Sequence, residues 1–206
     1  MRTLVALLLG STCLHCTAQD GYARLRTELE AIHELDQRDR ANLGAYALGT
    51  AGRDSVVAHM TWQDSLNTVR VASIIDSAGW LGPSVVGVTA SGTLWLVIQH
   101  ADLSVQELYL PEMRLAVEEG KADAADLAYL EDRIEMRNGR SQIYGSQVAM
   151  RDGKSAFHPI RDEAHVNERR AGVGLGPLEE YAGYFNIEWS PPAPTERILL
   201  LGPAKP

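Results

Sequence analysis

Residues 31–43, AIHELDQRDRANL, write aspartate where the apolar stripe of a helix should continue. From Tyr22 to about Leu48 the chain consists of strong helix formers with periodic leucine and isoleucine, which predicts a long first helix ending near Gly49. With Leu25 set at 0° and about 100° per residue, Leu29, Ile32 and Leu43 fall within roughly 40° of it. Asp36 and Asp39 fall there too, at about 20° and 320°, with Arg40 near about 60°. Three residues apart, the two aspartates are neighbours, their Cβ atoms about 5–6 Å from one another. Burying either one unpaired is costly, so the fold must bring something to answer them. An arginine from another element would make a structural ion pair. Alternatively the helix lines a polar pocket, where two close carboxylates form an acid/base pair or hold a divalent ion.

The rest of the chain gives that helix an ordinary globular setting. Of 206 residues, 45% are hydrophobic and 22% charged, which suits one domain with a real core, expected over residues 19–188. The net charge is −8 and the 19 Lys and Arg are scattered, so no basic patch exists for nucleic acid or anionic lipid. Met1–Ala18 combines Arg2, an apolar run from Leu4 to Leu9 and small residues, the pattern of a secretory leader cleaved before Gln19. Export to the periplasm or beyond the cell is therefore expected, with no transmembrane segment. Cys13 and Cys16 both lie in the leader, so the mature chain has no thiol for disulfide, metal or nucleophile. Lipid anchoring through either is the weaker alternative, because Thr12 and His15 suit the preceding position poorly.

Further elements follow from period and punctuation. A second helix is predicted from Thr61, with Asp64 completing a box-like start, to Gly79. A Gly/Pro loop, GWLGPSVVG, follows it. The stretch TLWLVIQH is apolar all round and is read as a buried helix. Ser104 with Glu107 opens another helix, which Pro111 should kink and Gly120 stop. Asp123 caps a helix running to Arg137. The period then switches: QIYGSQVAM and KSAFHPI flank an Asp-Gly tip, a hairpin placing Val148 opposite Phe157 and Gln147 opposite His158. Short helices are expected near VNERRAG and PLEEYAGY, and a Pro-rich tail over residues 189–206, with RILLL as an added strand. The expected fold is mainly α with a small β-hairpin, of the α+β kind.

Several polar residues stand out against this pattern. Asp64 and Asn67 share a face with Val71, Ile74 and Ile75; Asp64 reads most simply as a cap, whereas Asn67 is a satisfied core amide or a pocket wall. His100 ends the most apolar segment, with Asp102 and Gln106 close behind; it is a general base oriented by a carboxylate or a core imidazole. Arg133 borders the stripe of Leu127, Leu130 and Ile134, while Asp132 points about 180° away and reads as solvated. Gln142, Tyr144, Ser146 and Gln147 on the hairpin's first strand suit hydrogen-bonding recognition or an exposed edge. Arg169 and Arg170 are the remaining obvious cations. No Ser, His and Asp grouping forms a nucleophile elbow, and no histidine spacing fits a zinc motif.

Three segments, QHAD, AYLEDRIEMRNGRSQIYGSQ and NERRAGVGL, together resemble an uncharacterised bacterial family, of the domain-of-unknown-function 6624 type, over roughly residues 25–182. The resemblance implies that His100, Asp102, Asp132, Arg133, Gln142, Tyr144, Gln147 and Arg170 match the family pattern, which counts against a merely solvated Asp132. It implies no activity. The reading that results is an exported monomer, without cofactor or metal and without nucleic acid as partner, whose polar cluster binds a small polar or glycan-like ligand. As a hydrolase it would use Asp36 or Asp39 as acid/base and His100 as proton shuttle. Asn67, Asp102, Gln106, Asp132, Arg133, Gln142, Tyr144, Gln147 and Arg170 would contact the ligand. A buried polar network in an interaction protein is the remaining alternative.

Overall fold

The computed structural model describes residues 12–151 and 153–192. It is mainly α-helical with one small β-hairpin, as expected. The described residues divide into two compact units, one ending at Leu130 and the other beginning at Glu131. The apolar run of the leader, the hairpin tip residue Asp152 and the RILLL segment lie outside the described residues.

The first unit is built on three packed helices: α1 (Thr12–Asn42), α2 (Ala51–Ala78) and α4 (Val88–His100). Leu29 and Ile32 of α1, Val71, Ile74 and Ile75 of α2, and Leu94, Val97 and Ile98 of α4 are buried. Each such side chain contributes about 1.5–3 kcal/mol on leaving water. The first helix stops at Asn42, short of the expected Leu48, and Leu43–Ala45 form one 3-10 turn. Arg53 stabilises this early exit by donating from Nη1 to the carbonyls of Leu43 (2.9 Å) and Tyr46 (3.2 Å).

The second helix begins ten residues before the expected start, at Ala51, with Thr50 as its N-cap. Residues 51–60 are mostly exposed, so no apolar stripe marked them as helical. Asp64 is therefore a mid-helix residue and not a cap. Gly79, with φ +70°, ends the helix as foreseen. The Gly/Pro loop contains a short helix, α3 (Pro83–Val86), which Pro83 starts. The TLWLVIQH segment is helical, within α4. Helix α5 (Leu103–Glu118) has Asp102 as its N-cap residue, so Ser104 lies inside the first turn; Pro111 sits within the helix and Gly120, at φ +69°, follows its end. Helix α6 (Ala124–Arg137) starts as expected, the Asp123 Oδ1 accepting from Ala125 N at 2.8 Å.

In the second unit, β1 (Val148–Arg151) and β2 (Lys154–Phe157) pair antiparallel in the expected register, Val148 opposite Phe157. His158 N donates to Gln147 O at 3.1 Å, continuing the pairing. Residues 142–147, expected as the hairpin's first strand, are irregular instead, touching sheet structure only at a parallel bridge from Gln142 to Ile160. The short helices α7 (Val166–Gly172) and α8 (Leu178–Gly183) fall where expected. Ile160, Val166 and Leu178 form a small core against Phe157, Tyr181 and Trp189.

Candidate functional site

Asp36 stays on the buried face of α1, as its angle predicts, with its side chain 1% exposed. Its Oδ1 accepts from His100 Nδ1 at 3.1 Å, and its Oδ2 accepts from Gln37 Nε2 at 2.7 Å. Arg40, one turn along the same helix, donates from Nη1 to the Asp36 carbonyl at 2.7 Å and stands 3.3 Å from the Asp36 Oδ2. Its Nη2 donates to Asp64 Oδ2 at 2.7 Å. The answering arginine thus comes from the same helix as Asp36 and bridges to a second carboxylate on α2.

His100 closes α4 and is mostly buried. The carboxylate that orients it is Asp36, 64 residues earlier, and not the neighbouring Asp102, which is exposed at the start of α5. A carboxylate only accepts, so Nδ1 carries the imidazole proton and the lone pair lies on Nε2. That nitrogen makes no hydrogen bond among the described residues.

Asp39, expected beside Asp36, faces away from this group. Its carboxylate pairs with His59 Nδ1 at 2.5 Å near the surface, and that hydrogen bond holds it below the usual aspartate range. Asn67, one turn beyond Asp64, is buried and accepts from Gln63 Nε2 at 2.8 Å, leaving its Nδ2 without a partner. The Asp64 Oδ1 is likewise buried and unpartnered. Gln106 is fully buried and donates to the Gln99 carbonyl at 2.6 Å.

Asp36, Asp64 and His100 each offer a ligand atom within 4.8 Å of the other two, the kind of donor set that could hold a divalent ion. Arg40 already bridges the two carboxylates, so an ion would fit there only with the guanidinium withdrawn.

The remaining expected site residues belong to the second unit, where Asp132, Gln142 and Arg170 are tied to backbone groups. Asp132 is fully buried, which corrects the solvated reading. The irregular 142–147 segment folds over its side of the helix: Oδ1 accepts from Ile143 N (2.5 Å) and Tyr144 N (2.9 Å), and Oδ2 from Ser146 N (2.8 Å). A periodicity argument that knows only one core stripe cannot see a covering loop. Gln142 is also fully buried, donating to the Gln147 (3.1 Å) and His158 (2.8 Å) carbonyls and accepting from Gln147 N (2.7 Å). The Gln147 side chain donates to Ser146 Oγ at 2.9 Å. Arg170, 2% exposed, donates to the carbonyls of Gly176 (2.6 Å) and Tyr144 (2.8 Å), with its guanidinium 5.2 Å from the Tyr181 ring centre. Burial first, and then Glu131, raise the Tyr144 phenol, whose hydroxyl reaches Glu131 at 3.4 Å. Arg133 lies on the same helix, partly buried. Gly145, at φ +74°, could carry no side chain: a Cβ would stand 3.0 Å from Ile160 and Leu178.

A family model matches residues 23–189, most of the sequence. The chain belongs to a family of unknown function (DUF6624). No curated protein and no solved structure matches it. The matched span takes in both the Asp36, Asp64 and His100 cluster and the loop gathered round Asp132. No helix among the described residues is long and apolar enough to cross a membrane.

Proposed function

We propose that the chain is a cofactor-independent hydrolase whose working group is the Asp36–His100 pair. The observation that carries this reading is a buried carboxylate holding His100 Nδ1 at 3.1 Å while Nε2 makes no hydrogen bond among the described residues. In that arrangement Nε2 is the base, and Asp36 fixes the tautomer and stabilises the imidazolium that forms. Water attacks an acyl carbon as its proton passes to Nε2; the imidazolium then returns the proton to the departing oxygen or nitrogen as the carbon–leaving-group bond breaks. Esters or amides suit this chemistry better than glycosides, which need two separately acting carboxyl groups. Here Asp36 and Asp64 are both engaged by Arg40.

Asp132 and Gln142 support a different role. Their hydrogen-bonding capacity goes to backbone groups, which favours a buried structural network for the second unit over contact with a ligand.

The test is turnover by the purified chain on a panel of esters and peptides, with and without a chelator. The expected result is hydrolysis that a chelator leaves unchanged and that His100→Gln lowers about 10²–10⁴-fold with little change in melting temperature. Turnover that survives His100→Gln would remove the proposal. The hydrolase is further proposed to act outside the cytoplasm, on the strength of the leader-like Met1–Ala18; fractionation should find the chain exported with an N-terminus at or near Gln19, and an uncleaved chain retained in the cytoplasm would contradict this.

A further inference from the structure

We infer that the chain pairs with a second copy of itself through the outward side of α2, the two helices lying antiparallel about a two-fold axis beside Leu66. This departs from the monomer expected of the sequence.

Among the described residues α2 packs on α1, α4 and the 3-10 turn. With Asn67 at 0° and about 100° per residue, the buried Gln63, Val71 and Ile74 lie within about 40° of it. Trp62, Leu66 and Val69 lie on the far side, at about 220°, 260° and 200°, and are 56%, 49% and 72% exposed. A solvent-facing helix side is ordinarily charged or polar. Here, between Ala58 and Ser73, the arc from about 140° to about 260° holds only alanine, serine and these three residues. The Ser65 hydroxyl turns back to donate to the Thr61 carbonyl at 3.0 Å, so Ser65 presents little but its small size. His59 lies against Trp62, ring centres 5.5 Å apart, which steadies an indole of the kind that anchors interfaces.

The occupant follows from the order of sizes. Large Trp62 and Val69 alternate with small Ala58, Ser65 and Ala72 at the three- and four-residue spacing of a helix–helix seam. Turned end for end, the stripe is its own complement: Trp62 falls over the partner's Ala72, Val69 over the partner's Ser65, and Leu66 meets the partner's Leu66 across the axis. Pairing in the same direction would instead set Trp62 on the partner's Trp62. Charge agrees, since antiparallel pairing carries Asp76 to the level of His59 of the partner subunit, whereas parallel pairing sets it against the partner's Asp76; the opposed helix dipoles also attract. A lipid surface fits less well, because the arc has no lysine or arginine for headgroups and its small residues offer acyl chains little to cover. Ala58 to Asp76 spans about 27 Å of helix. A single seam of that length lies at the small end of specific interfaces, below about 1,200 Å² in total, so the dimer should dissociate in the micromolar range.

Sedimentation equilibrium of the full chain from about 1 to about 500 μM is expected to show a reversible dimer. Val69→Lys should raise its dissociation constant at least about tenfold by bringing unpaired ammonium groups into the seam. Leu108→Lys, at an exposed leucine of α5, should leave it unchanged. In a Cys13→Ser, Cys16→Ser background, Leu66→Cys should be joined to its copy by a short bismaleimide. Ser55→Cys, on the same side of α2 but about 36 Å from its copy in this pairing, should not be joined. A monomer throughout the concentration range, a dimer indifferent to Val69→Lys, no cross-link at Leu66→Cys, or one at Ser55→Cys of equal yield would each overturn the proposal.

Discussion

Asp132→Ala is expected to unfold the second unit at temperatures where the parent chain is intact. The substitution removes the acceptor of three backbone N–H groups, on Ile143, Tyr144 and Ser146, from a residue with no solvent exposure. Each orphaned buried donor costs about 1–3 kcal/mol. A total loss of at least about 3 kcal/mol is a large part of the roughly 5–15 kcal/mol that holds a typical domain together. For a chain of this size it should lower the melting temperature by about 6–12 °C. Asp132→Asn separates charge from geometry. One oxygen can still accept from Ile143 and Tyr144, but the amide nitrogen then faces the Ser146 N–H, so an intermediate loss is expected. Thermal melts followed by circular dichroism decide the matter; an unchanged melting temperature for Asp132→Ala would mean that the carboxylate does not hold the loop.

Arg40→Met should destabilise the first unit by about 3–5 kcal/mol, the usual consequence of removing one member of a buried ion cluster. The guanidinium is the cation that Asp36 and Asp64 share, and Asp36 is 1% exposed. Methionine fills similar volume, so loss of packing contributes little and the repulsion of two poorly hydrated carboxylates dominates. The same substitution clears the space between three groups whose ligand atoms already lie within 4.8 Å of one another. A divalent ion such as Zn²⁺ should then restore melting in the variant by binding only the folded chain, in proportion to its concentration over its dissociation constant. In the parent, Arg40 competes for the same oxygen atoms and the ion should shift melting far less. Equal shifts in both proteins would show that Arg40 does not stand where the ion binds.

What could be read from sequence followed the reach of each signal. The hairpin register was legible because an Asp-Gly tip and alternation fix pairing locally. The burial of Asp36 was legible because a 3.6-residue period places it beside Leu29 and Ile32. The partner of His100 was not, since Asp36 precedes it by 64 residues and only helix packing joins them. Asp64 was misjudged as a cap because residues 51–60 face solvent and show no apolar rhythm. Asp132 was misjudged because its covering segment has neither helical nor strand period.

The three amides on Asp132 join it to residues 11, 12 and 14 positions further on. That ring closure is what domains of oxidising compartments often obtain from a disulfide. Both cysteines of this chain lie within its first sixteen residues, so from residue 17 onward no thiol exists to make one. A carboxylate clamp ties the loop instead, and such a fastening is indifferent to reductants: the second unit can be shaped identically in oxidising and reducing surroundings.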